Sequence, residues 1–390
     1  MPLRTPPGRN RAPIRARTGA VMALAGLALS LARGAPADQA PEAASAELGK
    51  EVAARGWIVY AAKTDQGDYD LFLCRPDGSV RRNITRTPAW SEYGGRFSPE
   101  GKRLLFRRTP KGEALNHDLW GATGTLVVAN ADGSNPTPQG KEGDLPWASW
   151  GANDRQFACL YKREGRIRLV EARTLTVTKE LPRAGIFQQL FLSSDGQRLC
   201  GTANLNGQDW NVISLELATG RATQVSRGLS CTPDWFQGNP DRLIFSTRVP
   251  GLATDYGWTM LMQGAADGKS RSLLYGERGR HIYYGCTSPD DRYAVFSVPE
   301  SDGGVDARMA IIRVADAPIA VPGDYVELQA LYPGAKPGPV WRLPQAGFEP
   351  HWTYHQVPGL PDPQGPLRRA MQRAPPPSQR GATWACSGPC

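Results

Sequence analysis

Two interleaved turn motifs, recurring about every 48 residues, and the short apolar strands that flank them predict an all-β fold. That fold is a six-bladed β-propeller of four-stranded antiparallel blades, its ring closed by a C-terminal strand in blade one. The composition agrees. The 390 residues include 43 Gly and 34 Pro, more than average usage, and long helical periodicities are nearly absent.

The first turn recurs as Ser98-Pro99-Glu100-Gly101, Gly151-Ala152-Asn153-Asp154, Ser193-Ser194-Asp195-Gly196, Gly238-Asn239-Pro240-Asp241 and Ser288-Pro289-Asp290-Asp291. An apolar strand follows each, such as Leu104-Leu105-Phe106, Leu243-Ile244-Phe245 or Tyr293-Ala294-Val295-Phe296. A sixth strand of this type, Trp57-Ile58-Val59-Tyr60, opens the folded region without its turn. The second turn appears as Pro76-Asp77-Gly78-Ser79, Ala131-Asp132-Gly133-Ser134, Ala218-Thr219-Gly220 and Ala266-Asp267-Gly268-Lys269, and degraded at Ala172 and Ala315. Asp-Gly between apolar runs signals a hairpin, because both residues tolerate the positive φ that such turns need. Two hairpins per period make a four-stranded unit.

Blade one begins at Trp57 with its second strand, so its innermost strand is missing there. At the other end Glu349-Pro350-His351-Trp352-Thr353 reads as a first strand with no blade after it. Residues 350–355 are therefore expected to complete blade one and remove both free edges.

Glycine-rich turn, basic residues and apolar strand at Gly95-Arg96-Phe97-Ser98-Pro99-Glu100-Gly101-Lys102-Arg103 form one half of a longer repeat; Asp68-Tyr69-Asp70-Leu71-Phe72 through Asn83-Ile84-Thr85 form the other. This pattern resembles the TolB-like (WD40-like) propeller repeat over roughly residues 56–355. The resemblance implies a periplasmic scaffold that binds an envelope protein or peptide. The protein that gives this family its name carries a separate α/β domain ahead of its propeller; here residues 38–55 stand in that place, read as a linker with one short helix over 46–54.

Residues 1–37 read as a signal peptide. They carry six Arg and no acid, an apolar run from Gly19 to Ala32, and Ala35-Pro36-Ala37 as a cleavage site. The apolar run is short for a bilayer span, which takes about 20 residues. A periplasmic or secreted chain without a stable membrane span is expected. The formal charge of +9 belongs to the ends: residues 1–37 carry +6, the tail after His355 a further +3, and the body is close to neutral. That distribution gives no broad surface for a phosphate backbone, so no nucleic acid is expected. Residues 356–390, rich in Pro and Arg, read as a disordered tail. Of seven Cys, Cys386 and Cys390 lie in that tail and are placed to pair locally in an oxidising compartment, while Cys159 and Cys200 fall at apolar strand positions and read as core.

The sequence holds no Gly-x-Ser-x-Gly elbow, no phosphate-cradling loop and no His-Glu-x-x-His helix. Its four His are His117, His281, His351 and His355. On one strand His351 and His355 would lie about 13 Å apart, too far to share a metal. Asp68, Asp70, Asp118, Asp209 and Asp255 precede third strands one or two per blade, which suits turn capping better than calcium. Neither a cofactor nor a metal is expected, and a monomeric binding platform is favoured over an enzyme. The alternative is a carbohydrate-active propeller, an oligogalacturonate-lyase-like enzyme or a glycan binder, with convergence of Arg96 and the histidines as its signature.

In each first strand the third position (Phe97, Trp150, Leu192, Trp235, Trp352) is expected to pack between blades. The second position points the other way, toward the axis: Arg96, Ser149, Phe191, Asp234, Cys286 and His351. Arg96, Ser149, Phe191, Asp234 and His351 are the candidate binding residues. A ring mixing Arg, Asp and His suits a peptide terminus or a carboxylate through charge-assisted hydrogen bonds. The competing reading is a water-filled channel with an internal Arg–Asp pair. Loops over 107–124 and 248–258 are further interaction candidates.

Overall fold

The computed structural model describes residues 39–113, 124–139, 146–161, 164–182, 185–204, 210–249, 259–299, 307–323 and 325–361. The expected signal peptide, His117, Asp118, Asp209, Asp255, Cys386 and Cys390 lie outside the described residues.

The chain is an all-β propeller of four-stranded antiparallel blades. The described strands form six sheets, five with four strands and one with six. Sheet one holds Phe348–Thr353, Trp57–Lys63, Tyr69–Cys74 and Arg82–Asn83 in that order, so the two ends of the folded chain share one blade. The pairing is antiparallel, with Trp57 opposite Thr353 and Val59 opposite His351. The closing strand ends at Thr353, two residues before the expected His355. In the other sheets the inner strands are Trp90–Phe97, Pro146–Trp150, Ile186–Leu192, Ser230–Trp235 and Tyr283–Thr287. Each inner strand packs against the next, and Tyr283–Thr287 packs against Phe348–Thr353.

The apolar residues gather between blades. Trp57, Leu71, Phe97, Leu104 and Phe106 join sheets one and two, and Phe191, Val212, Trp235 and Phe245 join sheets four and five. Phe97, Trp150, Leu192, Trp235 and Trp352 are all buried, as their position predicts. Three of the indoles donate their N–H groups, two of them to the neighbouring blade and one to the connection after the N-terminal helix. Trp150 donates to the Arg96 carbonyl at 3.0 Å, Trp235 to the Phe191 carbonyl at 2.9 Å, and Trp352 to the Arg55 carbonyl at 2.6 Å. Buried indole nitrogens need such partners. Trp150→Phe keeps an aromatic ring but loses the bond and part of the indole's packing, and should lower stability by about 1 kcal/mol or more in urea unfolding. Cys159 and Cys200 are fully buried, and burial pushes both thiols up.

Three elements depart from the sequence expectation. The N-terminal helix is longer than residues 46–54, spanning Gln39–Val52. It docks on the last blade through buried Leu48 and Val52, and Glu51 pairs with Arg313 at 2.5 Å. Gly49 lets this helix approach: a Cβ there would lie 2.7 Å from the Trp341 ring. The second departure is on sheet five, whose outer strand Arg271–Gly276 carries two added two-residue strands in parallel, Ile319–Ala320 and Lys336–Pro337. They come from the connection between the last two strands of sheet six, so this excursion clasps neighbouring blades together. Third, Val357 and Leu360, assigned from sequence to the tail, are buried against the first two sheets.

Asp70 serves as the turn anchor expected of it. Its carboxylate accepts the Asn83 amide, the Thr85 hydroxyl at 3.2 Å and the Thr87 N–H at 3.4 Å.

Candidate functional site

The inner strands place two layers of side chains on the axis. Five of the six inner strands carry a residue with positive φ: Gly94 (68°), Gln189 (46°), Thr232 (46°), Tyr284 (54°) and Glu349 (50°). At each of them the register with the next strand slips. These are β-bulges, which re-aim side chains and add twist. A non-glycine residue in this region costs roughly 1 kcal/mol or more, so the four that are not Gly are held there by their surroundings. The second-position residues sit two places later. In the one strand without a bulge, Trp147 and Ser149 take the corresponding places.

The upper layer is the one read from sequence. Arg96, Ser149, Phe191, Asp234 and His351 all line one cavity of about 230 Å³ at a mouth of the axis. Cys286 does not line it; its buried Sγ accepts the Gln237 amide at 3.4 Å. Arg96 and Asp234 form an ion pair across the mouth, so the structure contains the internal Arg–Asp pair as well as the ring. The Arg96 guanidinium lies 4.3 Å over the Phe191 ring, and the second Asp234 oxygen accepts the Trp235 N–H at 2.8 Å. Burial pushes the Asp234 carboxyl upward against the pull of Arg96.

His351 accepts the Phe97 N–H at its Nδ1, 3.2 Å away. Burial, with the nearby Arg96 charge, drops the ring well below the usual histidine range. The imidazole is therefore neutral with its proton on Nε2, the donor it has available to a ligand. His355 is exposed and lines the same cavity from the segment beyond the closing strand, so the single-strand spacing to His351 does not hold. His281 is buried and stacked with Tyr283, centroids 5.9 Å apart, and is not part of this cavity. Among the described residues no group of three or more His, Cys, Asp or Glu is placed to hold a metal.

The lower layer escaped the sequence reading. Gly94, Trp147, Gln189, Thr232, Tyr284 and Glu349 line a second, tighter chamber of about 20 Å³. Arg107 reaches into it from a second strand, and its Nη2 bonds both Glu349 oxygens, at 2.7 and 2.8 Å. Both side chains are almost wholly buried. Gly94 is required here, since a Cβ would lie 2.6 Å from that Nη2. The one sequence signal was the doubled Gly94-Gly95 inside a strand, which marks a bulge or a close approach.

No protein-family model matches this chain, and no curated protein matches it. Solved structures do, at low identity. TolB from Acinetobacter baumannii superposes with a TM-score of 0.54 at 12% identity, over 76% of this chain and 66% of that one. The chain thus spans just under two thirds of that protein's length. A putative TolB from Agrobacterium tumefaciens gives 0.48 at 16% identity, over 66% of this chain and 85% of that one. An oligogalacturonate lyase from Vibrio parahaemolyticus gives 0.36 at 14% identity, over 66% and 71%. At such identities the likeness is one of fold: this chain is a β-propeller structurally similar to TolB.

Proposed function

We propose that this chain is a six-bladed, TolB-like periplasmic or secreted propeller that binds an envelope protein or peptide at the mouth lined by Arg96, Ser149, Phe191, Asp234 and His351. The blade count is our reading of the six sheets and of the contacts that run from each inner strand to the next. The observation that carries the binding role is the convergence of those five residues on one cavity of about 230 Å³. The mouth offers a cation, an anion and a neutral imidazole donor beside an aromatic ring, a set suited to a chain terminus or a side-chain carboxylate.

The test uses residues 38–390, immobilised and exposed to solubilised envelope extract, with each retained protein identified and its affinity then measured on purified material. The Arg96→Gln/Asp234→Asn double variant removes both charges together, so neither is left buried alone. It is expected to melt near the parent temperature and to weaken binding at least about tenfold, the scale of one charge-assisted bond at about 1.5 kcal/mol or more. Unchanged affinity in the double variant would rule out this mouth as the binding site. Cleavage of oligogalacturonate by the parent would replace the reading with the carbohydrate-active one.

A further inference from the structure

The tight chamber below the mouth holds more hydrogen-bond donors than its acceptors meet; the Glu349 carboxylate on its wall is engaged by Arg107 Nη2. Three buried N–H groups meet no acceptor among the described residues: Arg107 Nη1, Gln189 Nε2 and Trp147 Nε1. All three residues line the same chamber of about 20 Å³. The orientation of the Gln189 amide is fixed, because its Oε1 accepts the Thr232 N–H at 2.9 Å and the Thr202 hydroxyl at 2.8 Å. Its Nε2 is therefore the free end. The Arg107 guanidinium lies 3.6 Å over the Trp147 ring, and its bonds to Glu349 use Nη2, which leaves Nη1 over. An unmade buried hydrogen bond costs about 1–3 kcal/mol, and three together would cost a large share of a domain's stability.

A chamber of this volume has room for one water-sized body. A water oxygen has two lone pairs and must also place two protons of its own. A halide ion accepts from every donor around it and has no proton to place. We infer that the propeller axis holds a monatomic anion site, of chloride type, formed by Arg107, Gln189 and Trp147. Arg96 and Phe191 line both this chamber and the mouth above, which gives the ion its route from solvent. The site is independent of whatever binds at the mouth.

Crystals of residues 38–390 soaked in sodium bromide should show an anomalous bromine peak in contact with these three side chains. In solution the melting temperature should rise with chloride, replacing gluconate at constant ionic strength, by roughly 2 °C per tenfold once the site fills. Gln189→Glu is the decisive variant. One carboxylate oxygen would keep the Thr232 and Thr202 bonds while the other supplies the missing acceptor, so the protein should stay folded and lose its chloride dependence. Trp147→Phe removes one donor and should weaken that dependence. Absence of the bromine peak together with equal melting in the two salts would overturn the site. So would a chloride dependence that persists in Gln189→Glu, since the ion would then act elsewhere.

Discussion

A chain ending at residue 346 is expected to lose its cooperative unfolding transition and to aggregate. The missing strand, Phe348–Thr353, is the inner strand of the first blade and contributes Phe348 and Trp352, both fully buried. Truncating one buried aromatic to Ala costs about 3–5 kcal/mol, and a typical domain has only about 5–15 kcal/mol in total. The deletion also removes the Trp352 indole bond to the Arg55 carbonyl and the Arg107 partner Glu349, leaving a buried guanidinium alone. It uncovers the Trp57–Lys63 edge, whose unpaired backbone groups would template pairing with another chain. Circular dichroism melting and light scattering read the outcome. A synthetic peptide covering residues 347–361 should restore the transition when added in trans. A truncated chain that melts like the parent would show that the ring holds without its closing strand.

The fold was written in the sequence because its signals are local. Asp-Gly and Ser-Pro turns fix hairpins without reference to the rest of the chain, and a short continuous apolar run follows each first turn. The second positions of the inner strands follow from that register, which is why Arg96, Ser149, Phe191, Asp234 and His351 group together in the sequence. Arg107 and Glu349 could not. They are 242 residues apart, lie on different kinds of strand, and meet only because a bulge turns Glu349 inward. Gln189, Thr232 and Tyr284 adopt the same positive φ without being Gly or Asn, so nothing in their identity announces it. The excursion at Ile319–Ala320 and Lys336–Pro337 was hidden for another reason. Strands of two residues are too short to show a period.

Stability is expected to fall as pH rises from about 5 to 8, and Glu92→Gln should remove most of that fall. Glu92 on Trp90–Phe97 and Asp70 on Tyr69–Cys74 bring two buried carboxyl groups together between the first two blades. Asp70 already accepts three donors, and the Thr87 hydroxyl donates to Glu92 Oε1. Glu92 Oε2 is buried and has no donor. A proton on Glu92, donated in a hydrogen bond to Asp70, resolves that conflict. Burial pushes the Glu92 carboxyl up to about 8; the Thr87 hydroxyl opposes the shift and the Asp70 charge adds to it. Between the ordinary value of 4.5 and about 8 the folded protein therefore holds a proton that the unfolded chain has released. Folding then loses free energy with each unit of pH through that window, to a total on the order of 3–5 kcal/mol, and the loss is complete above it. The amide introduced by Glu92→Gln would carry a permanent N–H donor toward Asp70 in place of the titrating proton. The variant should therefore be the more stable protein at pH 8 and nearly equal to the parent at pH 5. Urea unfolding at both pH values measures the difference. A parent whose stability is flat across the window, or a variant that keeps the parent's slope, would mean that Glu92 does not hold a proton in the folded protein.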